Sequence, residues 1–117
     1  MSLQADCIFC KILRKEVPAE KVFENENVFA FKDIHPQAKH HYLIIPKFHV
    51  TSLAELKEEQ IQIIEQLYRV GFAIAEKNGF KQSGFRTVIN TGKMGGQTVF
   101  HLHMHLMSDD KISPRFG

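Results

Sequence analysis

The most regular alternation of polar and hydrophobic residues lies near the end of the chain, where residues 101–107 read His-Leu-His-Met-His-Leu-Met. A period of two residues is typical of a β-strand whose two faces differ in polarity. Residues two apart on a strand point the same way, about 7 Å from each other. The pattern therefore predicts a strand that buries three apolar side chains and presents three imidazoles on one face. The apolar residues are Leu102, Met104 and Leu106, and the imidazoles are those of His101, His103 and His105.

The remaining hydrophobic pattern predicts two helices and four more strands. A short helix is expected over residues 7–13, capped by Asp6, and a long helix over 58–77, where apolar residues recur at steps of three and four. Asn78 and Gly79 form a stop signal for the long helix. The strands are expected at 22–24, 28–33, 42–46 and 85–90. Because no β-α-β rhythm is present, we predict an α+β fold with an antiparallel sheet of about five strands.

Size and composition favour a single domain over residues 1–117, with 1–6 and 112–117 as terminal tails. The chain has 117 residues, of which 44% are hydrophobic, enough for a modest core. The net charge is +2 and the basic residues are scattered, so no nucleic-acid partner is indicated. No apolar segment is long enough to cross a bilayer, and the first residues lack a secretory pattern. We therefore expect a cytoplasmic protein with no membrane partner.

The two cysteines, Cys7 and Cys10, are spaced C-x-x-C and leave three interpretations open. A redox disulfide of this type usually lies where a strand meets a helix, and no strand is predicted before Cys7. Half of a zinc site is favoured, because seven histidines offer further ligands. Buried, inert thiols are the third interpretation.

A glycine-rich loop, residues 92–98, directly precedes the histidine strand. Glycine lets backbone N–H groups approach an anion closely, so the loop is a candidate phosphate cradle to which Asn90 could add an amide donor. The residues alone leave two chemistries open at the histidines. Two of them and a third ligand could hold a catalytic zinc, or one neutral imidazole could be a nucleophile that its neighbours orient.

Several stretches of the sequence resemble a known family. Residues 95–107, Gly-Gly-Gln-Thr-Val-Phe-His-Leu-His-Met-His-Leu-Met, are similar to the signature of the histidine triad (HIT) superfamily. Residues 31–38 and 41–49 resemble its branch of histidine triad nucleotide-binding proteins. Cys-Ile-Phe-Cys-Lys-Ile at 7–12 resembles the zinc-bearing members of that branch. The resemblance extends over about residues 7–108 and implies a HIT-like fold.

The resemblance also implies a homodimeric hydrolase of purine nucleoside 5′-phosphoramidates or related nucleoside monophosphate derivatives. His103 corresponds to the nucleophile, His105 to a histidine beside the phosphate, and His41 to an upstream histidine that supports them. Thr98 keeps a hydroxyl that could bond the leaving group. Hydrolysis of dinucleoside polyphosphates and a role as a nucleotide-binding adaptor with little turnover are the alternative functions.

Further positions correspond to the family's nucleotide contacts. Asp33 corresponds to the ribose contact. The phosphate contacts, beside Thr98 and the two histidines, correspond to Asn90, Gly96 and Gln97. The apolar residues that correspond to the base pocket are Ile8, Phe9, Ile12, Phe31 and Ile34. Well-known members carry a tryptophan near the C-terminus; this chain has none, and Phe116 is the candidate replacement.

We further predict a structural zinc ion bound by Cys7, Cys10, His49 and His101, because two thiolates and two imidazoles complete a tetrahedral set with no open position. No organic cofactor is expected. A chain of this size buries only about two thirds of its unfolded surface, and an open sheet leaves an exposed edge. Both considerations favour a homodimer. The resemblance adds that the long helix and residues 85–90 pair across a two-fold axis, which would extend the sheet.

Overall fold

The computed structural model describes residues 3–112, and its centre is a five-stranded antiparallel sheet. The strands are β1 (Lys21–Glu24), β2 (Val28–Lys32), β3 (His40–Pro46), β4 (Arg86–Val88) and β5 (Met104–Ser108). They lie side by side in the order β1-β2-β3-β5-β4. The helices are α1 (Ile8–Leu13) and α2 (Gln62–Lys77). The predicted α+β fold with about five strands, one short helix and one long helix is confirmed. Phe116 lies outside the described residues.

The central strand β3 is buried on both faces because one helix packs against each of them. Tyr42 and Ile44 belong to a large apolar cluster that includes Leu67 of α2. Leu43 and Ile45 belong to a smaller cluster that includes two residues of α1. The nearly all-apolar sequence of β3 follows from this double burial. No helix in residues 3–112 is long and apolar enough to cross a membrane.

The histidine segment differs from its prediction in one respect, since β5 begins only at Met104. Residues 101 and 102 bond instead to the end of β3 and the loop that follows it. The backbone N–H of Leu102 donates to the carbonyl of Val50 at 2.8 Å, and the ring of His101 donates to the carbonyl of Pro46 at 3.1 Å. The three apolar side chains are nevertheless fully buried, as the alternation predicted: Leu102, Met104 and Leu106.

Both helices begin at a different residue than expected. The cap of α1 is Cys7 rather than Asp6, and its sulfur accepts a backbone N–H at 3.4 Å. Helix α2 begins at Gln62, because residues 58–60 form a separate 3₁₀ turn. The predicted end of α2 is confirmed. Asn78 caps it, and Gly79 follows with a φ of 79°, a left-handed conformation that glycine adopts without strain.

Candidate functional site

A pocket of about 370 Å³ opens between α1, β2 and the segment that leads into β5. Its volume lies within the range of small-molecule sites, roughly 300–1,000 Å³. Most of the residues predicted to bind or process a nucleotide line it: Ile8, Phe9, Ile12, Phe31, Asp33, Ile34, Thr98, His103 and His105. Six further residues that were not predicted from the sequence also line it: Val17, Pro18, Ala19, His35, Leu43 and Val99. Residues 17–19 carry no binding signal in the sequence, since only the folded chain brings them beside β2.

The apolar lining of the pocket divides into a buried floor and an exposed rim. Phe9, Ile12 and Phe31 are less than 9% exposed and pack into the smaller core cluster. Ile8 and Ile34 are 41% and 81% exposed. Exposed isoleucines at the mouth of an apolar pocket offer surface that a flat apolar ligand could cover.

His103 lies at the inner end of the pocket with a fixed orientation. Its Nδ1 is 2.8 Å from the carbonyl oxygen of His101. A carbonyl oxygen only accepts hydrogen bonds, so Nδ1 carries the proton and Nε2 keeps a lone pair when the ring is neutral. The ring packs edge-on against Phe9, with centroids 5.2 Å apart. Burial is the main cause that lowers the pKa of His103, which favours the neutral ring at pH 7.

His105 and His41 meet across the pair β3 and β5. The Nε2 atom of His41 is 2.9 Å from Nδ1 of His105 and 3.3 Å from Oδ2 of Asp33. The rings of His103 and His105 also touch, with centroids 5.1 Å apart. Burial lowers the pKa of His41 and, with the neighbouring histidines, lowers the pKa of His105 to about 4. The three rings therefore contact one another in a row, and their lowered pKa values favour the neutral form of each. They are called the histidine group below: His41, His103 and His105.

The polar groups of the glycine-rich loop are largely hydrogen-bonded within the protein. The side chain of Gln97 is consumed within the protein: Oε1 accepts from the N–H of Gly92 at 2.8 Å, and Nε2 donates to two backbone carbonyls at 2.6 and 2.9 Å. The N–H groups of residues 95–97 donate to carbonyls of the loop itself. Asn90 donates to the carbonyl of Gly95 at 2.9 Å. Neither Asn90, Gly96 nor Gln97 lines the pocket, whereas Thr98 does. The loop thus closes on itself and presents Thr98.

The two cysteines at the start of α1 lie beside two histidines, one after β3 and one just before β5. Nδ1 of His101 is 3.4 Å from Sγ of Cys7 and 3.5 Å from Sγ of Cys10, and Nδ1 of His49 is 3.4 Å from Sγ of Cys10. All four atoms lie within 4.8 Å of one another. Ligands at the usual zinc distances of 2.0–2.3 Å stand about 3.3–3.8 Å apart on a tetrahedron. These residues, called the Cys–His cluster below, could therefore hold a metal ion.

The hydrogen bonds around the Cys–His cluster agree with the donor set that a metal requires. Nε2–H of His101 donates to the carbonyl of Pro46, which leaves the Nδ1 lone pair directed at the sulfurs. Backbone N–H groups donate to both sulfurs, from Gln4 to Cys10 at 3.3 Å and from Cys10 to Cys7 at 3.4 Å. Both thiols are free rather than joined in a disulfide.

Comparison with known proteins places these features in a family. A sequence profile described as "Scavenger mRNA decapping enzyme C-term binding" matches residues 6–116. Protein HitA of Neisseria gonorrhoeae is 48% identical over 102 residues, 87% of this chain and 94% of the relative. Purine nucleoside phosphoramidase of Escherichia coli K12 is 38% identical over 109 residues, 93% of this chain and 92% of the relative. A 14 kDa zinc-binding protein of Zea mays is 46% identical over 108 residues, 91% of this chain and 84% of the relative.

Solved structures agree with the sequence relatives. A histidine triad protein from Clostridium difficile superposes with a TM-score of 0.94 at 40% identity, covering 98% of this chain and all of the other. A HIT family hydrolase from Legionella pneumophila gives a TM-score of 0.90 at 37% identity, covering 96% of this chain and all of the other. The five-stranded sheet, with His103 and His105 beside a ligand-sized pocket, is the architecture that the resemblance implied. The chain belongs to the histidine triad (HIT) family.

Proposed function

We propose that this protein hydrolyses purine nucleoside 5′-phosphoramidates or related nucleoside monophosphate derivatives, with His103 as the nucleophile. The observation that carries the proposal is the hydrogen bond from Nδ1 of His103 to the carbonyl of His101, inside the apolar pocket. This bond leaves Nε2 free to attack, and burial keeps the ring neutral. The name of the Escherichia coli relative, purine nucleoside phosphoramidase, supports the choice of substrate.

The reaction divides into two displacements at the α-phosphorus. In the first, Nε2 of His103 forms a bond to phosphorus while the bond to the amine breaks, and the hydroxyl of Thr98 assists protonation of the departing nitrogen. His105 donates to a phosphate oxygen and stabilises the charge that develops there. In the second displacement, the oxygen of water bonds to phosphorus while the bond between phosphorus and Nε2 of His103 breaks. This releases the nucleoside monophosphate and regenerates neutral His103, and one proton of the water replaces the proton that left with the amine.

Nucleotide binding draws on both parts of the pocket. The purine would lie against the apolar floor and rim formed by Ile8, Phe9, Ile12, Phe31 and Ile34. Asp33 would accept from a ribose hydroxyl. Its carboxylate already accepts from the N–H of His35 at 2.8 Å and lies 3.3 Å from His41, and a carboxylate has lone pairs left for a third donor. The phosphate roles of Asn90, Gly96 and Gln97 remain predictions.

The experiment that tests this function compares substrates and traps the intermediate. We expect faster hydrolysis of adenosine or guanosine 5′-phosphoramidate than of a diadenosine polyphosphate, because the hydroxyl of Thr98 assists an amine leaving group. Quenching during turnover with a denaturant at alkaline pH, where the phosphorus–nitrogen bond of a nucleotidyl-histidine persists, followed by mass spectrometry, should find one nucleotidyl group on the peptide that contains His103. Faster cleavage of the dinucleotide would favour the polyphosphate alternative. Tight binding without turnover of either substrate would favour the adaptor.

We also propose that the Cys–His cluster binds a structural zinc ion. Cys7, Cys10, His49 and His101 would fill all four positions, so the ion would join α1 to the segment before β5 without an open site for substrate. The zinc-binding name of the Zea mays relative supports this assignment.

A homodimer is the third part of the proposal. The edge strand β4 and helix α2 carry partly exposed apolar side chains on one side, including Phe72, which is 43% exposed and whose ring lies 6.3 Å from that of Phe85. Ile61, at the start of α2, is 52% exposed. A second copy that pairs through this side would cover them. Sedimentation should give a dimer at micromolar concentration, and a monomer there would contradict the proposal.

A further inference from the structure

The loop between β2 and β3 makes a backbone contact with one ring of the histidine group. The N–H of Gln37 lies 3.0 Å from Nδ1 of His41. We propose that this N–H fixes the tautomers of His41 and His105, so that His105 directs an N–H toward the phosphate while His103 directs a lone pair. Gln37 is thus a positioning residue that acts through its backbone. The catalytic consequence rests on the proposed function, whereas the tautomers themselves do not.

The contact with Gln37 determines which nitrogen of His41 is protonated. A backbone N–H can only donate a hydrogen bond, so Nδ1 of His41 must accept and cannot carry a proton. His41 is only 4% exposed, and burial lowers its pKa, which favours the neutral ring. A neutral imidazole has one proton, and here that proton belongs on Nε2.

The proton on Nε2 of His41 in turn determines which nitrogen of His105 is protonated. Nε2–H of His41 is 2.9 Å from Nδ1 of His105, closer than the 3.3 Å to Oδ2 of Asp33. Nδ1 of His105 therefore accepts, and its own proton lies on Nε2. The pKa of His105, lowered to about 4 by burial and by the adjacent histidines, agrees with a neutral ring that has a single proton.

The result is a pair of neighbouring histidines with opposite tautomers. His103 carries its proton on Nδ1 because that atom meets the carbonyl of His101, and His105 carries its proton on Nε2 because of His41. In-line attack needs both forms at once, a lone pair for phosphorus and a donor for a phosphate oxygen. With the opposite tautomer, His105 would face a phosphate oxygen with a lone pair and repel it.

The loop is built so that Gln37 reaches this position. Asp33 begins it with two contacts: Oδ1 accepts from the N–H of His35 at 2.8 Å, and the N–H of Asp33 donates to the carbonyl of His41 at 3.1 Å. The first contact turns the chain within the loop, and the second ties the start of the loop to β3. Gln37 is consequently held next to the ring it orients.

The same hydrogen bond argues against a metal ion at Asp33, His41 and His105, although their ligand atoms lie within 4.8 Å of one another. To bind a metal through Nε2, neutral His41 would have to move its proton to Nδ1. That atom already accepts a hydrogen bond from the N–H of Gln37, so the ring N–H and the backbone N–H would then point at each other. The Cys–His cluster has no such conflict, since the hydrogen bond of His101 leaves Nδ1 free.

Nitrogen NMR tests the tautomers directly and requires no activity. Protein labelled with ¹⁵N-histidine, loaded with zinc and held near pH 7, should give long-range proton–nitrogen patterns of the Nε2–H form for His41 and His105. The pattern for His103 should be that of the Nδ1–H form. Single His→Gln variants would assign the signals. An Nδ1–H pattern for His41, or protonation of both its nitrogens at pH 7, would overturn the proposal.

Two substitutions at one position separate the N–H from the side chain. Gln37→Pro removes the N–H, and Gln37→Ala keeps it, so the difference between them reports the hydrogen bond alone. We expect Gln37→Pro to lose the uniform Nε2–H patterns of His41 and His105. Its kcat should fall about tenfold or more relative to Gln37→Ala, with KM little changed, because one donor to the phosphate is lost. Thermal melting would show that both variants are folded.

Every outcome of these experiments decides the proposal. Unchanged tautomers in folded Gln37→Pro would contradict it. If that variant does not fold, the spectrum of the unsubstituted protein decides alone. If the predicted tautomers are present but no phosphoramidate is cleaved, the proposed function fails while the assignment of the histidines stands.

Discussion

The Cys–His cluster and the histidine group both take histidines from residues 101–105, but the imidazoles differ in which nitrogen keeps a lone pair. His101 and His103 are two residues apart, and both donate a ring proton to a backbone carbonyl. His101 donates from Nε2 to Pro46, and His103 donates from Nδ1 to His101. The nitrogen that remains faces two thiols in one case and the pocket in the other. The position of one carbonyl thus decides which ring nitrogen keeps a lone pair, and with it whether the histidine suits the role proposed for His101 or the one proposed for His103.

The two regions also differ in how completely the protein closes them. The Cys–His cluster brings four ligand atoms together, which is the pattern of a structural site. The histidine group opens into a pocket of about 370 Å³. His101 connects the regions, because its ring belongs to the cluster and its carbonyl orients His103. Substitutions in the Cys–His cluster should therefore also disturb the orientation of His103. Substitution of His103 should leave the cluster intact.

Replacement of the nucleophile should have the largest effect. His103→Ala is expected to lower the rate of phosphoramidate hydrolysis on the order of 10³-fold or more, because the covalent intermediate can no longer form. Nucleotide binding, measured by calorimetry, and zinc content should survive. His40→Ala is the matched control, since His40 packs against Phe80 outside both regions. Turnover near the normal rate in His103→Ala would remove the mechanism and return a zinc-bound hydroxide as the leading account.

Replacement of the two cysteines should mainly lower the stability of the folded protein. Metal analysis of the purified protein should give near one zinc per chain, and the double variant Cys7→Ser, Cys10→Ser should bind none. Its free energy of unfolding should fall by about 3 kcal/mol or more, since loss of a metal is among the largest single effects. Chelator treatment of the parent protein should reproduce the loss and add nothing in the variant. A double variant that keeps full thermal stability would contradict a structural role.

Asp33→Asn should have a smaller effect on the histidine group alone. Asp33 accepts from the N–H of His35 and lies 3.3 Å from Nε2–H of His41. The amide of asparagine has only one oxygen, so in either orientation of the side chain its NH₂ group would face one of these two N–H donors. An unmatched hydrogen bond costs roughly 1–3 kcal/mol, and we expect kcat/KM to fall about tenfold while zinc content is unchanged. An equal fall in zinc content would show that the two regions are not separable.

The pH dependence of the rate should be the most modest effect. Burial lowers the pKa values of His41, His103 and His105 from the ordinary 6.5, so the neutral rings persist as the pH falls. Activity should be present above the lowered pKa values and disappear below them. We expect kcat/KM to stay level from about pH 8 to about pH 6.5 and to decline only at lower pH. Zinc content should be measured at each pH, and an acid limb centred at or above 6.5 would contradict a buried neutral nucleophile.

Features that repeat over short distances can be read from the order of the amino acids alone. Alternation at 101–107 was sufficient to predict that Leu102, Met104 and Leu106 enter the core, and the all-apolar run in β3 was sufficient to place that strand at the centre. The family resemblance, now confirmed, came from side chains at characteristic spacings. Such patterns are local, because strand geometry and C-x-x-C spacing extend over only a few residues.

The pairing of polar groups, in contrast, depends on contacts between distant parts of the folded chain. The amide of Asn90 bonds to the carbonyl of Gly95, and the amide of Gln97 bonds to backbone groups that include the carbonyl of Thr51, 46 residues away in the sequence. The tautomers of His103 and His41 depend on the carbonyl of His101 and on the N–H of Gln37. Every residue except proline has both backbone groups, so they leave no signature in the sequence. Their effect depends on which ring nitrogen the folded chain brings within 3 Å of them, and that distance is a property of the fold.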